Sequence, residues 1–404
     1  MRLRLGMVAA AVGCLVVGAA ALGDRDATLS ARGLGGRDGV LAARALGDRN
    51  EALSATPLGH LVARPPWLRD GVRGAPATDS ILARLGLAPV PPGSRLPGYL
   101  LIADRDNNRL IIVSPSKRIV WRFPPVSARG SRTAQVSAGL LSQPDDAFVS
   151  PDGRFISTNQ EFAETIKVIT LSRHPRVTWA YGHADAQGSA PGYLAHPDDA
   201  YLVAGRLIQV ADIVNCRVLW INAHRRIVRA IGRAGDCRHD PPNALADPNG
   251  DTPTPDGGVL ITEIGGWADR LDRHGRLRWS IRTPTDYPSD AQLLPDGNVL
   301  VASYTSPGRV DILNPRGRVV WTYEFSSGRR ALDHPSLAVA LPNGLIALND
   351  DFNHRVLVID RATKRIVWQY GHDGVAGSRP GYLDNPDGLQ LLPDRGGAPS
   401  ASVF

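Results

Sequence analysis

The sequence of 404 residues lacks the short motifs that mark several common enzyme classes. It has no His-Glu-x-x-His zinc motif, no Gly-x-Ser-x-Gly nucleophile elbow and no Gly-rich phosphate loop. A metalloprotease of that type, an α/β-hydrolase and a P-loop nucleotidase are therefore not predicted. No residue is singled out by these motifs as catalytic.

Cysteine is scarce, with three residues in the chain. Cys14 lies in an apolar N-terminal segment, which leaves Cys216 and Cys237. Two thiols supply only half of a cysteine zinc site, so such a site is not predicted. In an exported chain the pair predicts a disulfide.

Lysine is also scarce, because Lys117, Lys167 and Lys364 are the only three in the chain. The net charge of +7 therefore comes from arginine. Codon bias in a GC-rich genome would account for this excess without any functional partner. Net charge alone indicates neither a fold nor a partner, so only the placement of the cations can argue for one.

The sequence has a single long apolar run, Leu5 to Leu22, which follows Arg2 and Arg4. This pattern predicts that residues 1–22 are a signal peptide or a membrane anchor. Residues 23–96 are predicted to be a low-complexity linker with at most one short helix. The predicted location is extracellular, or membrane-anchored and facing outside.

The rest of the chain repeats a pattern that ends in two aliphatic residues and a tryptophan. Its tryptophans are Trp121, Trp179, Trp279, Trp321 and Trp368, and one further unit has Arg229 at this position. The six units are spaced about 49 residues apart. This period predicts an all-β, six-bladed β-propeller.

Each unit is predicted to contain four strands. In the third unit these are Asp199 to Val203, Leu207 to Ala211, Arg217 to Ile221 and Ile227 to Ile231. Tight turns between the first two strands are indicated by Asp-Gly and Asn-Gly pairs, which supply positive φ angles. These pairs are Asp152-Gly153, Asp256-Gly257, Asp296-Gly297 and Asn343-Gly344.

The first unit has no innermost strand, because nothing suitable precedes Pro97. The segment Asp387 to Pro393 is an opening strand with no blade after it. We therefore predict that this C-terminal strand joins the first blade and closes the ring, which removes exposed sheet edges. The predicted propeller spans 97–394, with a tail at 395–404.

Several turns and linkers resemble NHL repeats. The turns Ala103 to Arg109, Asp212 to Arg217 and Asp351 to Val356 resemble the family's Ala-Asp-x-x-Asn-x-Arg-Val signature. The linkers from Tyr181 and from Tyr370 resemble the NHL linker of spaced glycines, Gly-x-Leu and Pro-x-Gly. The fourth and fifth units look more like quinoprotein-type or arylsulfotransferase-type blades.

The resemblance implies a six-bladed propeller without implying one activity, since relatives include binding platforms, metal-dependent lyases and lactonases. We expect Asp and Asn of the signature turns to bond neighbouring backbone groups. Arg109, Arg217 and Arg355 are expected to pair across blades, and the tryptophans are expected to pack between blades.

Polar residues recur where each innermost strand begins, a position that rings one mouth of a propeller channel. Several carboxylates there suit a hard cation such as calcium, although each Asp could instead cap its own turn. The predicted mouth residues are Asp145, Asp146, Asp198, Asp199, Asn249, Asp290, Ser336 and Asp387.

Three histidines lie near these positions in the sequence, namely His196, His239 and His334. Imidazoles from three blades could hold zinc with an open position, as a lyase or hydrolase requires. Calcium and zinc are thus the two cofactors that the sequence suggests.

The turns between third and fourth strands all carry cations and should lie on the face opposite the carboxylates. We expect this basic face to meet an anionic surface such as lipid headgroups or wall polymer. Its residues are Lys117, Arg118, Arg173, Arg176, Arg225, Arg226, Arg273, Arg276, Arg316, Arg318, Lys364 and Arg365.

The sequence therefore predicts an exported propeller that acts as a binding or interaction module at the cell envelope. Its partner would be a protein or an anionic envelope surface, and nucleic acid is not expected. One alternative is a metal-dependent lyase or hydrolase with its site in the central channel. A second is a quinone-dependent dehydrogenase.

Overall fold

The computed structural model describes residues 81–125, 140–204 and 206–394. The predicted signal or anchor (1–22), most of the predicted linker and the predicted tail (395–404) lie outside these residues. The described part contains one short α-helix, α1, at Ile81–Leu85, and 24 β-strands.

The strands are numbered in chain order. They are β1 Gly98–Asp104, β2 Arg109–Val113, β3 Ile119–Phe123, β4 Ala147–Val149, β5 Phe155–Gln160, β6 Thr165–Thr170, β7 Val177–Gly182, β8 Pro197–Val203, β9 Leu207–Asp212, β10 Arg217–Asn222, β11 Ile227–Gly232, β12 Pro248–Pro253, β13 Val259–Glu263, β14 Trp267–Leu271, β15 Leu277–Arg282, β16 Pro288–Leu293, β17 Val299–Ser303, β18 Arg309–Leu313, β19 Val319–Glu324, β20 Ala338–Ala340, β21 Leu345–Asp350, β22 Arg355–Asp360, β23 Arg365–Gly371 and β24 Pro386–Pro393.

The strands form six antiparallel sheets of four, which are the six blades of a propeller. Blade one is β24-β1-β2-β3, and blades two to six each use four consecutive strands from β4 onward. Gly98 pairs with Pro393 and Leu100 with Leu391 in the closing sheet. The prediction that a C-terminal strand completes the first blade is confirmed.

Burial along the strands follows their position in the blade. All seven residues of β1 are buried, because an inner strand is covered by the neighbouring blades. In β11, a fourth strand, buried or half-buried residues alternate with exposed ones until Ile231. Apolar clusters fill the space between blades, and one of them joins Leu100 of blade one to Val358 and Trp368 of blade six.

The predicted tight turns have the expected backbone. Gly297 and Gly344 have φ angles of 82°, and each donates its N–H to the residue three positions earlier. Only glycine adopts this conformation without strain. Turn chemistry thus sets the boundaries between first and second strands.

The signature turns hold an ion pair within each blade, and two of their arginines also contact the linker that joins blades six and one. Arg355 lies 3.0 Å from Asp373 of this linker, and Arg109 donates to its Ser378 carbonyl at 2.8 Å. The strongest pairing is nevertheless within the blade, whereas the prediction placed it across blades. Arg109 Nε lies 2.5 Å from Asp104 Oδ2, and Arg217 and Arg355 contact Asp212 and Asp350 in the same way at 2.7 and 2.6 Å. The reason is geometric, because the aspartate ends the second strand and pairs directly with the arginine that begins the third.

The tryptophans pack between blades, as predicted. The indole N–H of Trp121 donates to the Ser172 carbonyl of blade two, and that of Trp179 donates to the Ala223 carbonyl of blade three. The distances are 2.8 and 3.1 Å. Each of these side chains therefore links its blade to the next.

Residues 81–96 belong to the predicted linker, yet several of them pack on the propeller. Leu82 and Leu85 of α1 are buried with Leu101 and Trp121, and Leu96 is buried against blades one and six. The boundary at residue 96 remains a prediction. Within the described residues, no helix has the length and apolar character needed to cross a membrane.

Cys216 and Cys237 form a disulfide, as predicted, with Cα atoms 5.2 Å apart. The bond joins the turn after β9 to the linker that leads into blade four. Disulfides of this kind are typical of proteins outside the cytosol.

Candidate functional site at the channel mouth

The first residues of the innermost strands converge at one end of the ring. They surround a small cavity with room for about one water molecule or one monatomic ion. Its lining residues are Asp146, Asp198, Asp199, Asn249, Ser289, Asp290, Ser336, Leu337 and Asp387. Seven of the eight predicted mouth residues line this cavity, and the eighth, Asp145, lies beside it. We call these residues the channel mouth.

Hydrogen bonds connect the mouth residues of neighbouring blades. The amide nitrogen of Asn249 donates to Asp198 at 2.5 Å, which joins blades four and three. Thr252 of blade four donates to the Asp290 carboxylate of blade five at 3.0 Å. The Ser336 hydroxyl donates to the carbonyl of Asp387 at 2.9 Å, which joins blades six and one. The carboxylates are therefore held in fixed orientations by groups on other blades.

Arg105 is the cation of this site, and it was not among the predicted mouth residues. It begins the turn between β1 and β2, and its guanidinium lies 2.8 Å from Asp145, 2.5 Å from Asp387 and 2.9 Å from Glu161. Turns between second and third strands lie on the same face as the starts of the first strands. That topological rule could have identified both Arg105 and Glu161 as neighbours of the mouth.

The mouth carries more buried carboxyl groups than Arg105 can neutralise. Burial raises the pKa of Asp198 to about 7, and that of Asp290 to about 6. Burial also raises the pKa of Asp146 well above its usual range, and the carboxylates of Asp199 and Asp198 raise it further. The site thus favours either protons or an added cation.

The donor set at the mouth consists of oxygen atoms. Carboxylate oxygens of Asp145, Asp146 and Asp198 lie within 4.8 Å of one another. One buried oxygen of Asp199 accepts no hydrogen bond. Oxygen-only donors with several carboxylates suit calcium better than zinc.

The three histidines predicted as zinc ligands lie apart from one another. His196 contacts Glu161, His334 contacts Asp333, and His239 contacts Glu263. Among the described residues, no group of three ligand atoms within 4.8 Å contains two histidines. The histidines are far apart because of their places in the ring. His196 and His334 precede the first strands of blades three and six, and these two blades are opposite each other. The structure therefore does not support a site formed by these three side chains.

Aromatic rings surround the mouth on the same face. Phe162 is half exposed, and Arg105 stacks on its ring at 5.0 Å. Tyr304, His334 and Phe352 contact one another across the turns of blades five and six. A ligand that approached the carboxylates would meet these rings first.

The predicted basic face is formed by the turns between third and fourth strands. Antiparallel pairing places these turns at the end of the ring opposite the mouth. Eleven of the twelve cations are exposed, and the twelfth, Lys364, is half-buried over the Trp321 ring. No carboxylate in the described residues forms an ion pair with any of the twelve.

Other acidic residues at the mouth were also missed. Asp251 and Asp351 are fully buried, and burial raises the pKa of each well above its usual range. Asp351 accepts a hydrogen bond from Ser336 at 3.1 Å. Asp351 lies in a turn between second and third strands, so the sequence pattern predicted only a structural turn residue. The pattern did not indicate that Asp351 contacts the mouth.

The chain matches no protein-family model, and no curated protein shows significant similarity to it. The NHL assignment therefore remains a resemblance. Solved structures with a similar fold include a protein of unknown function from Bacteroides caccae, with 15% identity over 72% of this chain and 98% of that one, at a TM-score of 0.48. A streptogramin B lyase is similar at 16% identity over 74% of this chain and 87% of that one, with a TM-score of 0.46.

Virginiamycin B lyase from Staphylococcus aureus is similar at 13% identity over 62% of this chain and 77% of that one, with a TM-score of 0.41. At these identities the similarity concerns the fold and carries no information on activity.

Proposed function

We propose that the chain is a binding module of the cell envelope that docks on an anionic lipid surface through its basic face. One observation carries the proposal. All six turns between third and fourth strands contribute exposed cations to one face, and none is neutralised by a described carboxylate. Acidic residues on this face include Asp152, Asp256 and Asp296 in the first-strand turns, and Asp272 and Asp360 beside the cationic turns. Asp256 and Asp272 are already paired with Arg270 and Arg278. The face thus keeps a large excess of positive charge.

An apolar cavity on the same face favours lipid over a wall polymer. It lies between blades five and six, has a volume of about 260 Å³, and is lined by Leu294, Leu300, Ile312, Leu345 and Ile346. Arg361 lines it as well. An arginine beside an apolar cavity suits an amphiphile with an anionic headgroup and an acyl chain.

The channel mouth supports a binding role over a channel enzyme. Its cavity has room for about one water molecule, so the side chains as they stand admit no organic substrate. The aromatic rim is open to solvent but lies outside the carboxylate ring. A structural cation fits this site better than a reacting molecule.

Vesicle binding tests the proposal. Arg118, Arg226, Arg276 and Arg318 are exposed, and their side chains make no hydrogen bond with described residues. Replacing all four with Gln should weaken binding to anionic vesicles by on the order of 100- to 1000-fold, at about 1 kcal/mol for each cation. Wild-type binding should also fall at about 1 M salt, where charges are screened within about 3 Å.

A matched control removes the same charge from the linkers of the opposite face. Arg233, Arg238, Arg329 and Arg379 are exposed there, and of these Arg238 forms an ion pair with Asp236 at 2.9 Å. Their replacement with Gln should leave vesicle binding within about two-fold of wild type. The proposal is rejected if wild type does not bind anionic vesicles. It is also rejected if the control variant loses as much affinity as the basic-face variant.

A second candidate is a metal-dependent lyase or hydrolase at the channel mouth. The observation that favours it is the trio Asp145, Asp146 and Asp198, which offers three oxygen ligands within 4.8 Å. Elemental analysis of the dialysed full chain tests this candidate. One calcium per chain that is lost in Asp146→Asn would support a cation site there. Absence of metal would leave the carboxylates to be neutralised by protons.

A further inference from the structure

A second group of potential ligands lies in blade four, away from the channel mouth. His239 Nδ1 is 3.1 Å from Glu263 Oε2 and 3.8 Å from Asp269 Oδ2. Both carboxylate side chains have no exposed surface, whereas the imidazole is 20% exposed. One ligand atom from each residue lies within 4.8 Å of the others. We call these three residues the blade-four cluster.

The other blades show what is unusual about Glu263. Glu263 is the last residue of β13, and it is equivalent to Asp212 of blade three. Each of the two carboxylates accepts a backbone N–H from the linker that leads into its own blade. Asp212 is neutralised by Arg217, the first residue of the next strand. In blade four that position holds Trp267, so Glu263 has no arginine partner.

Asp269 is unusual in the same way. At its position in the third strand, blades one, three and six have Ile111, Leu219 and Leu357. Blade five has Asp311, which is held by two N–H groups of Arg309 at 2.7 and 2.8 Å. Asp269 has no such arginine, and neither of its buried oxygens accepts a hydrogen bond of ordinary geometry.

Two buried carboxylates side by side cost several kcal/mol unless a proton or a cation compensates them. The burial of both side chains and the absence of a hydrogen bond of ordinary geometry to either Asp269 oxygen leave this charge uncompensated by the described residues. A metal ion held by the two carboxylates and His239 would compensate it.

His239 is oriented as metal-binding histidines are. Its ring stacks on Trp267 with centroids 3.9 Å apart and planes 8° from parallel. Its Nε2 lies 3.1 Å from the Ser280 hydroxyl, which leaves Nδ1 directed at the carboxylates. A fixed partner on the second ring nitrogen is the usual support for a ligating imidazole. The Cys216–Cys237 disulfide anchors the linker two residues before His239.

We infer that the blade-four cluster binds a divalent first-row transition ion, with zinc as the test ion, through His239, Glu263 and Asp269. One imidazole and two carboxylates are three protein ligands, which leaves a fourth position for water. An imidazole donor favours zinc over calcium and magnesium, which prefer oxygen ligands alone. The exposed edge of His239 provides the route of entry.

Calorimetric titration of zinc into the chelator-treated full chain tests this inference. Wild type should bind one zinc per chain at this site, and cobalt(II) should give a coordination spectrum. Asp269→Asn and His239→Ala should each weaken zinc binding by on the order of 100-fold or more. Asp269→Leu, which carries the residue of blade three at this position, provides a second variant if Asp269→Asn fails to fold.

Two controls separate this site from others. His183→Ala removes an exposed histidine that stacks on Tyr193, and it should bind zinc as wild type does. Asp198→Asn alters the channel mouth and should also leave zinc binding at blade four unchanged. The inference is overturned if wild type takes up no zinc. It is also overturned if folded Asp269 and His239 variants bind zinc as tightly as wild type, because the carboxyl pair is then held by a shared proton alone.

Discussion

The indole N–H of Trp368 donates a hydrogen bond to the carbonyl oxygen of Pro115 at 2.9 Å. The two residues are 253 positions apart, and the bond joins the fourth strand of blade six to a turn of blade one. Trp321 makes the same contact with the Arg361 carbonyl, from blade five to blade six. The same tryptophan contact that links neighbouring blades elsewhere therefore also links blade six to blade one. It acts in addition to the sheet that β24 completes in blade one.

The Trp368 contact predicts a specific loss of stability. Trp368→Phe removes one buried hydrogen-bond donor and part of an apolar surface, so the free energy of unfolding should fall by about 2 kcal/mol. Trp279 is half-buried, and its indole donates to no described residue. Trp279→Phe should therefore cost about 1 kcal/mol less. Urea denaturation of both variants measures the difference, and equal losses would show that the hydrogen bond contributes nothing.

The closing strand β24 predicts a larger effect. Leu389, Leu391 and Leu392 are fully buried, and deletion of residues 385–404 removes about 6 kcal/mol of apolar burial from blade one. That loss is comparable to the whole stability of many domains, so we expect the truncated chain to unfold or to melt far below wild type.

A shorter deletion provides the control for the closing strand. Removal of residues 395–404 leaves all of β24 in place, and its melting temperature should stay close to that of the full chain. Circular dichroism against temperature measures both truncations. An unchanged melting temperature after the longer deletion would contradict closure by β24.

Most of the fold could be predicted because its signals are local. The tryptophan period and the Asp-Gly turns each specify structure within one blade, and the unpaired segment Asp387 to Pro393 indicated how the ring closes. The mouth residues could be predicted for the same reason, since each occupies a repeated position. The repeat itself carried that information.

Contacts between blades could not be predicted in the same way. Arg105 belongs to a turn that resembles other turns, and only the closed ring places it against Asp145 and Asp387. The three predicted zinc-ligating histidines lie apart for a related reason. Residues at similar positions in the repeat can belong to blades on opposite sides of the ring. His239 instead contacts two carboxylates within blade four.

Titration of the channel mouth predicts a pH dependence of stability. Burial raises the pKa of Asp290 to about 6, above the value of 3.8 for an ordinary Asp. The folded chain then holds a proton that the unfolded chain releases between about pH 4 and 6, so the free energy of unfolding falls as pH rises through this window. At pH 8 the lost stability from this group is about 3 kcal/mol.

Asp290→Asn tests this dependence, because the amide stays neutral at every pH. The Oδ1 atom accepts N–H and hydroxyl groups from Ala291 and Thr252, so an amide oxygen can keep both bonds. The variant should be more stable than wild type at pH 8 and similar to it at pH 4. Asp286→Asn, at an exposed position, should show no such difference. Equal pH profiles for wild type and Asp290→Asn would exclude this group as the cause.

The disulfide predicts a loss that affects both stability and the blade-four cluster. In the chain-entropy model, a bond across 21 positions stabilises the fold by about 3 kcal/mol. Replacing Cys216 and Cys237 with Ala should lower the free energy of unfolding by that amount in urea.

Because Cys237 anchors the linker that carries His239, the same variant should bind zinc more weakly than wild type at a temperature where both are folded. Reducing agent should reproduce the loss of stability in wild type and leave the stability of the variant unchanged. Undiminished zinc affinity in the folded variant would show that the stacking of His239 on Trp267 positions the imidazole without help from the disulfide.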